Sequence, residues 1–262
     1  MRPKRFLARA FVVLATVGLA MPVFAQQTNW TGQTVLVKKS GIKISYTDDD
    51  GRRVTAAELT GVDYKVIDDQ GGWIKVRHAG AEGWFGKEDA VLLSEAAEYF
   101  SAKIRENPQE GAYYNYRGVA WKLRGELDIA IKDYSEAIRL HSTEAAYFNN
   151  RGLAYWDKRQ LEKALDDLDE AVRLKPGAVY FRNRADLLLD MKRPQRALED
   201  AEEAVRLDSR YSSAYLSRGM AHYDLKDFDK AKEDFDEALR LDPKFCRRLP
   251  AARGAAGRYG QD

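Results

Sequence analysis

A pattern of seven positions returns four times between residues 111 and 243, and a chain that repeats itself at this interval can fold into few things. Tyr114, Arg117, Gly118, Trp121, Ala130, Tyr134 and Ala137 reappear 34 residues on as Phe148, Arg151, Gly152, Tyr155, Ala164, Leu168 and Ala171. A third copy, 33 residues further, reads Phe181, Arg184, Ala185, Leu188, Ala197, Ala201 and Ala204. The fourth returns to the 34-residue step with Tyr215, Arg218, Gly219, His222, Ala231, Phe235 and Ala238. Arg139, Arg173, Arg206 and Arg240 keep time near the end of each copy. Small residues at fixed places in a period of this length mark a helical solenoid.

Each copy divides into two helix-length segments, with a turn at Leu123-Arg124-Gly125 in the first. Gly118 and Ala130 fall where paired helices cross, and their lack of bulk lets the backbones approach. Tyr114, Trp121 and Tyr134 fill the space that remains. One pair of helices cannot bury its apolar faces alone, so neighbours stack and share a one-dimensional core. Charge also recurs inside this frame. First helices carry Arg117, Arg151, Arg184 and Arg218, and second helices carry Asp133, Asp167, Asp200 and Asp234. An arginine near a core is costly unless paired and hydrogen-bonded. The spacing predicts a ladder in which each Arg meets an Asp of its own or the preceding repeat, a structural device because every copy has it.

An aromatic, a Gly four residues on, a second aromatic, then Ala, aromatic and Ala, closed by Pro176 or Pro243, resembles the tetratricopeptide repeat. One register fits every copy, over about half of the chain. The departures are Arg where the family usually has Leu, Ala185 for Gly, His222 for an aromatic, and Ser142 and Ser209 for Pro. Leu168, Leu188 and Ala201 also stand at usually aromatic places, and none of these changes should break the helix pairing. The RNA-binding pentatricopeptide family fits poorly, since its period is longer and its aromatic pattern differs.

The resemblance implies ligands in a concave groove lined by the first helices. The matching positions are Asn115, Tyr116, Val119 and Lys122, then Asn149, Asn150, Leu153, Trp156 and Asp157. They continue as Arg182, Asn183, Asp186 and Asp190, then Leu216, Ser217, Met220, Tyr223 and Asp224. Amides able to pair with a peptide backbone, beside Tyr116, Trp156 and Tyr223, suit a protein or peptide ligand. The alternative is an ordinary solvated groove. The family's carboxylate clamp is not reproduced. Asn150 fits it, but Asn115 and Val119 replace the expected Lys and Asn, and Val179 and Asn183 replace the basic pair. One repeat later, Ser213 and Ser217 stand in the basic places, so a chaperone-tail receptor is not expected.

Before the repeats, residues 1–25 have the layout of a secretory signal peptide. Arg2, Lys4, Arg5 and Arg9 make a basic start, residues 10–20 are mostly apolar, and Val23 and Ala25 supply a cleavage site. The apolar run falls well short of the ~20 residues a membrane span needs. Cleavage after Ala25 implies a periplasmic or secreted protein with no membrane span left after cleavage. Its four lost cations take the formal charge from +2 to about −2. A near-neutral chain gives no electrostatic reason to expect nucleic acid. The single cysteine, Cys246, cannot form an internal disulfide, so packing must hold the exported fold. It is expected to be a bystander in the tail rather than a link between chains.

Residues 28–93 change character. Thr34-Val35-Leu36-Val37, Gly41-Ile42-Lys43-Ile44-Ser45-Tyr46, Tyr64-Lys65-Val66-Ile67 and Trp73-Ile74-Lys75-Val76 alternate. Turn signals separate them at Asp50-Gly51, 69–72 and 79–83, which reads as a small antiparallel barrel. Its closing stretches, Gly72-Trp73 and Gly83-Trp84-Phe85-Gly86-Lys87-Glu88-Asp89, resemble the bacterial SH3-like domain. Trp73 and Trp84 fit either an aromatic surface for a peptide or glycan, peptidoglycan included, or core packing. Asp48-Asp49-Asp50-Gly51 lacks the further ligands and closing Glu of a calcium loop and reads as a hairpin turn.

The fold class is therefore mainly α, a tetratricopeptide-type solenoid with a small all-β SH3-like barrel at its N-terminal side. The expected division is 28–93 for the barrel, 94–110 for a capping half-repeat, repeats at 111–144, 145–177, 178–211 and 212–245, and a disordered tail at 246–262. In the cap, Ala96, Phe100 and Arg105 fall 34 residues before Ala130, Tyr134 and Arg139, a second helix without its first. Lys232 replaces the apolar residue found at Ile131, Leu165 and Leu198, as a terminal repeat requires. His78, His141 and His222 form no metal set. No nucleophile with a base and no phosphate-cradling loop is present. No catalytic residue, metal or cofactor is expected, and the reading is a non-enzyme.

Overall fold

The computed structural model describes residues 29–48, 52–59, 61–78 and 81–243. The expected signal peptide, residues 49–51 of the acidic turn, and the tail with Phe245, Cys246 and Leu249 lie outside the described residues. Eight strands and nine α-helices are found among the described residues.

The strands are β1 (Thr34–Val37), β2 (Lys43–Thr47), β3 (Arg53–Glu58), β4 (Asp63–Lys65), β5 (Asp68–Gln70), β6 (Trp73–His78), β7 (Ala81–Gly86) and β8 (Ala90–Leu92). They form two antiparallel sheets, β4-β1-β8 and β3-β2-β7-β6-β5. Alternation sorts their side chains: Ile74 and Val76 of β6 are fully buried with Val35, Ile44 and Phe85, while Trp73 and Arg77 face out. The alternating runs locate β1, β2, β4 and β6. Four strands escape that signal. β3 alternates only from Arg53 to Ala56, β5 is acidic, β7 begins at Ala81, inside the expected turn over 79–83, and β8 is three apolar residues in a row. Gly83 there serves close approach instead of a turn, since a Cβ would lie 2.8 Å from Ile44 Cβ and 3.0 Å from the Ser45 nitrogen. Asp69, expected in a turn, sits in β5, where its carboxylate accepts from the Trp30 amide at 2.6 Å and pairs with Lys87 Nζ at 2.7 Å.

The helices are α1 (Leu93–Glu106) and then four antiparallel pairs: α2 (Gly111–Leu123) with α3 (Leu127–Leu140), α4 (Ala145–Asp157) with α5 (Leu161–Leu174), α6 (Ala178–Asp190) with α7 (Pro194–Leu207), and α8 (Ser212–Asp224) with α9 (Phe228–Leu241). Each pair locks through one small residue. A Cβ on Gly118 would meet the Tyr134 ring at 2.7 Å, and one on Gly219 would meet the Phe235 ring at 2.7 Å. Gly152 faces Leu168, with the Ala164 carbonyl oxygen 3.1 Å from where its Cβ would be. The third pair solves the same problem the other way. Ala185 brings a methyl, and the residue at the ring position is the fully buried Ala201.

The turn inside each pair passes through the left-handed region at one residue. Gly125 has φ +82°, and the equivalent Arg159, Lys192 and Lys226 have φ of 60°, 58° and 66°. An L-residue there costs roughly 1–2 kcal/mol, while glycine costs the unfolded chain's extra entropy, about 0.5–1 kcal/mol. Lys192→Gly is therefore expected to stabilise the protein by about 0.5 kcal/mol, and Gly125→Ala to destabilise it by about 1 kcal/mol. Denaturant midpoints of the two variants check this, and a stability loss in Lys192→Gly would contradict it.

The predicted charge ladder is present in all four pairs. Arg117 grips Asp133 through Nε (2.8 Å) and Nη2 (2.7 Å), and Arg151 grips Asp167 at the same two distances. Arg184 holds Asp200 at 2.7 and 2.6 Å, and Arg218 holds Asp234 through Nε and Nη2. Each Asp is buried. The remaining nitrogen reaches back one repeat, from Arg117 to Ser101 Oγ (3.0 Å), Arg151 to Ser135 Oγ (3.1 Å) and Arg184 to Asp169 (2.8 Å). Bonding to these carboxylates raises the pKa of every one of the four arginines.

At one end the solenoid is continuous with the sheets. Leu36 of β1 and Val91 of β8 share one core with Ala96 and Phe100 of α1 and with Val119 and Tyr134. Arg124 donates to the Leu93 and Ser94 carbonyls at 2.8 and 2.6 Å, tying the first turn to α1. At the other end Lys232 is exposed.

Candidate functional site

The first helices α2, α4, α6 and α8 stand side by side along one wall, and the groove positions expected from the sequence fall on it. They come together, but much of their polarity is spent between repeats. Asn115, Asn149 and Asn183 are buried. Asn150 Nδ2 donates to Asn115 Oδ1 at 2.8 Å, and Asn183 Nδ2 donates to Asn149 Oδ1 at 2.7 Å. Ser217 continues the series by donating to the Asp186 carboxylate. These amides are inter-repeat links first, because a buried amide must find partners.

The other groove residues are more open. Lys122 pairs with Asp157 at 3.1 Å, and Arg182 donates to Asp186 at 3.0 Å and to the Tyr211 hydroxyl at 3.2 Å. Trp156 is half-buried, and its Nε1 donates to Asp190 at 2.7 Å. That bond, followed by Arg159, holds the Asp190 carboxyl below the usual range. Tyr116 packs on Phe100 with ring centres 5.3 Å apart, and burial raises its hydroxyl pKa. Tyr223 packs edge-on against Phe228 at 5.5 Å. Both rings keep part of their surface in solvent.

Two adjoining hollows open where this wall meets the β region, of about 690 and 500 Å³. Besides the expected Asn115, Val119, Lys122, Asn150 and Leu153, the smaller is lined by Val62 and Asp63 from the start of β4 and by Val179 and Tyr180 of α6. The repeat register carries no information on the β-region residues, because they come from outside it. Desolvation by these walls raises the Asp63 carboxyl pKa.

A separate hollow of about 300 Å³ lies on the outer face of the five-stranded sheet, lined by Ser45, Tyr46, Thr47, Gln70, Trp73 and Trp84. Trp84 stands opposite Ser45 on β2 and Lys75 on β6, away from the core face. Tyr46 and Trp73 are 44% and 43% exposed, so of the two roles open to Trp73 the structure gives it a surface position. Trp84 lines the same hollow, half-buried. Among the described residues no group of three His, Cys, Asp or Glu could hold a metal ion, and no helix is long and apolar enough to cross a membrane.

Comparison with known proteins bears on the helical part. Models of the tetratricopeptide repeat match residues 124–179 and 212–245. No curated protein sequence matches the chain significantly. Solved structures with the same fold include YrrB, described as a tetratricopeptide-repeat protein with an unusual peptide-binding site; it is 24% identical, over 62% of this chain and 84% of that one, with a TM-score of 0.51. PilF of Pseudomonas aeruginosa is 22% identical over 64% and 81% of the two chains, with a TM-score of 0.55. A tetratricopeptide-repeat protein of Parabacteroides merdae is 20% identical over 63% and 67%, with a TM-score of 0.53. The stacked pairs, their small-residue locks and the matched segments agree, and the helical part of this chain has the fold of a tetratricopeptide-repeat solenoid, with repeats of that family matched at 124–179 and 212–245.

Proposed function

We propose that this chain is an exported, non-catalytic scaffold that holds a protein or peptide segment in the concave groove of its solenoid. The observation that carries the reading is the pair of hollows along the first helices, where half-exposed Tyr116 and the Lys122–Asp157 pair adjoin apolar Leu153 and Val179. An apolar floor with a few placed polar groups is what a bound segment requires. The peptide-binding site named for YrrB belongs to that protein and lends support only through the shared fold. Export rests on the basic and apolar layout of residues 1–25.

The outer-face hollow favours a second reading, in which the β region, resembling an SH3-like domain, holds peptidoglycan or its stem peptides while the repeats recruit a partner enzyme. Tyr46 and Trp73, both exposed beside Gln70 and Thr47, offer ring faces with hydrogen-bonding groups at their edges. A crosslinking pull-down from the native cell envelope separates the two. Under the first reading Trp156→Ala and Tyr116→Ala lose the captured protein at least tenfold, while Trp73→Ala retains it. Retention on purified cell wall that is abolished by Trp73→Ala and untouched by the groove variants favours the second.

A further inference from the structure

The two hollows share Gly61, Val62, Lys175 and Tyr180, so they are lobes of one space between the β region on one side and α2, α4 and α6 on the other. The charges around it do not balance. In the larger lobe Lys39 is bonded to Asp89 at 2.7 Å, and in the smaller Lys122 is bonded to Asp157 at 3.1 Å. Glu58 and Glu144 in the larger lobe and Asp63 in the smaller have no ion-pair partner among the described residues. Against these three acids stands one unpaired cation, Lys175, which is exposed in both lobes. Burial lowers the His78 pKa, so that ring adds no charge at neutral pH. Burial also outweighs the longer-range pull of Lys122 and raises the Asp63 carboxyl, and an acid in that state gains from any cation brought to it. Half-buried Tyr116 and Tyr180 line the larger lobe. After burial, the Glu144 charge is what most raises the hydroxyl pKa of Tyr147 and Tyr180, which sets that carboxylate near both rings. A ring face near a carboxylate is a place for a cation. The amino end of α4 offsets part of Glu144, so the surplus of negative charge lies toward Glu58 and Asp63 of the β region.

We propose that this two-lobed space binds a basic polypeptide segment of a partner protein. One lysine or arginine side chain of the segment meets Glu58 and Glu144 beside the Tyr180 ring, and a second is directed to Asp63. Lys175 does not hold the ligand. Its charge opposes a basic segment and so restricts which segments bind. The β region supplies two of the three acids, so the binding surface is complete only where the sheets and the repeats meet. This rests on the groove reading above and narrows it to one end of the groove and one ligand charge.

The probe is a random dodecapeptide library displayed on phage and panned on the full chain, with the best binders then synthesised. The expected pool is enriched in Lys and Arg. Affinity should fall about fivefold in Glu58→Gln, in Asp63→Asn and in Glu144→Gln, and on the order of 30-fold with all three together. It should fall about threefold in Tyr180→Leu and rise about threefold in Lys175→Gln. Every variant should be as folded as the parent by circular dichroism. Glu162→Gln, exposed on α5 and outside this space, should leave affinity unchanged. Binders without basic residues, affinity insensitive to the three acids, or a fall in Lys175→Gln overturn the basic site while leaving a groove binder in place. Tighter binding once Arg247, Arg248, Arg253 and Arg258 are all changed to Gln overturns the partner as occupant and gives the space to the chain's own basic end. A library that yields no specific binder overturns the groove reading and this site together.

Discussion

Asp167→Ala should destabilise the solenoid by about 3 kcal/mol, read as a fall in the denaturant midpoint with little change in slope. The carboxylate is buried and takes two hydrogen bonds from Arg151, whose side chain is 21% exposed. Removing the acid leaves that guanidinium without its main partner in a place where water reaches it only from one side. Loss of one member of a buried pair costs ~3–5 kcal/mol, and the exposed fifth of the arginine argues for the lower end. The ladder also makes a second, sharper claim. Arg151→Leu alone should be nearly as damaging, because it strands the acid. Arg151→Leu with Asp167→Leu should recover most of the loss, since well-packed apolar replacements of buried pairs are often neutral. If Asp167→Ala shifted stability by less than about 0.5 kcal/mol, the ladder would rank with exposed ion pairs such as Arg173–Glu170.

Gly118→Ala is expected to cost about 2 kcal/mol, although alanine is the better helix former. The added methyl would overlap the Tyr134 ring at 2.7–2.8 Å, and the ring cannot retreat because it is fully buried. Overpacking of this kind costs typically 1–3 kcal/mol. The third repeat provides the control within the same molecule. There the facing residue is Ala201, and Ala185→Gly should cost about 1 kcal/mol, the helix-propensity difference alone. Opposite effects of glycine at equivalent positions would establish that the lock is set pair by pair. Thermal melts showing Gly118→Ala as stable as the parent would mean that α2 and α3 slide apart freely, contrary to this packing.

Why some features are legible in the sequence and others are not follows from where their causes lie. The solenoid and the Arg–Asp ladder are written at a fixed interval, so each of four copies confirms the others. The left-handed turn is legible only once, at Gly125, because Arg159, Lys192 and Lys226 hold the same conformation without announcing it. Strands β3 and β5 hide because pairing with neighbours fixes them: β3 alternates only until the register shift opposite Ile44 and Ser45 sets Ala56 beside Ala57, and β5 is three polar residues. Register sets the groove positions at successive places along the first helices. Register alone does not say that Asn115, Asn149 and Asn183 turn toward each other, since that depends on the distance between repeats. Val62 and Asp63 belong to no repeat, so the part they play in the wall emerges only when the β region is seated.

The links on the inner wall bear on how the array deforms. They sit on the inside of a curved stack, like chords across an arch, so any widening of the channel stretches them before it disturbs the hydrophobic layers outside. The first two junctions are tied by neutral amide pairs from buried side chains, whereas the last is tied by a serine to a carboxylate. Compliance is accordingly uneven along the array: the half beside the sheets keeps a set curvature, and the far half depends on the grip of a single serine hydroxyl on Asp186.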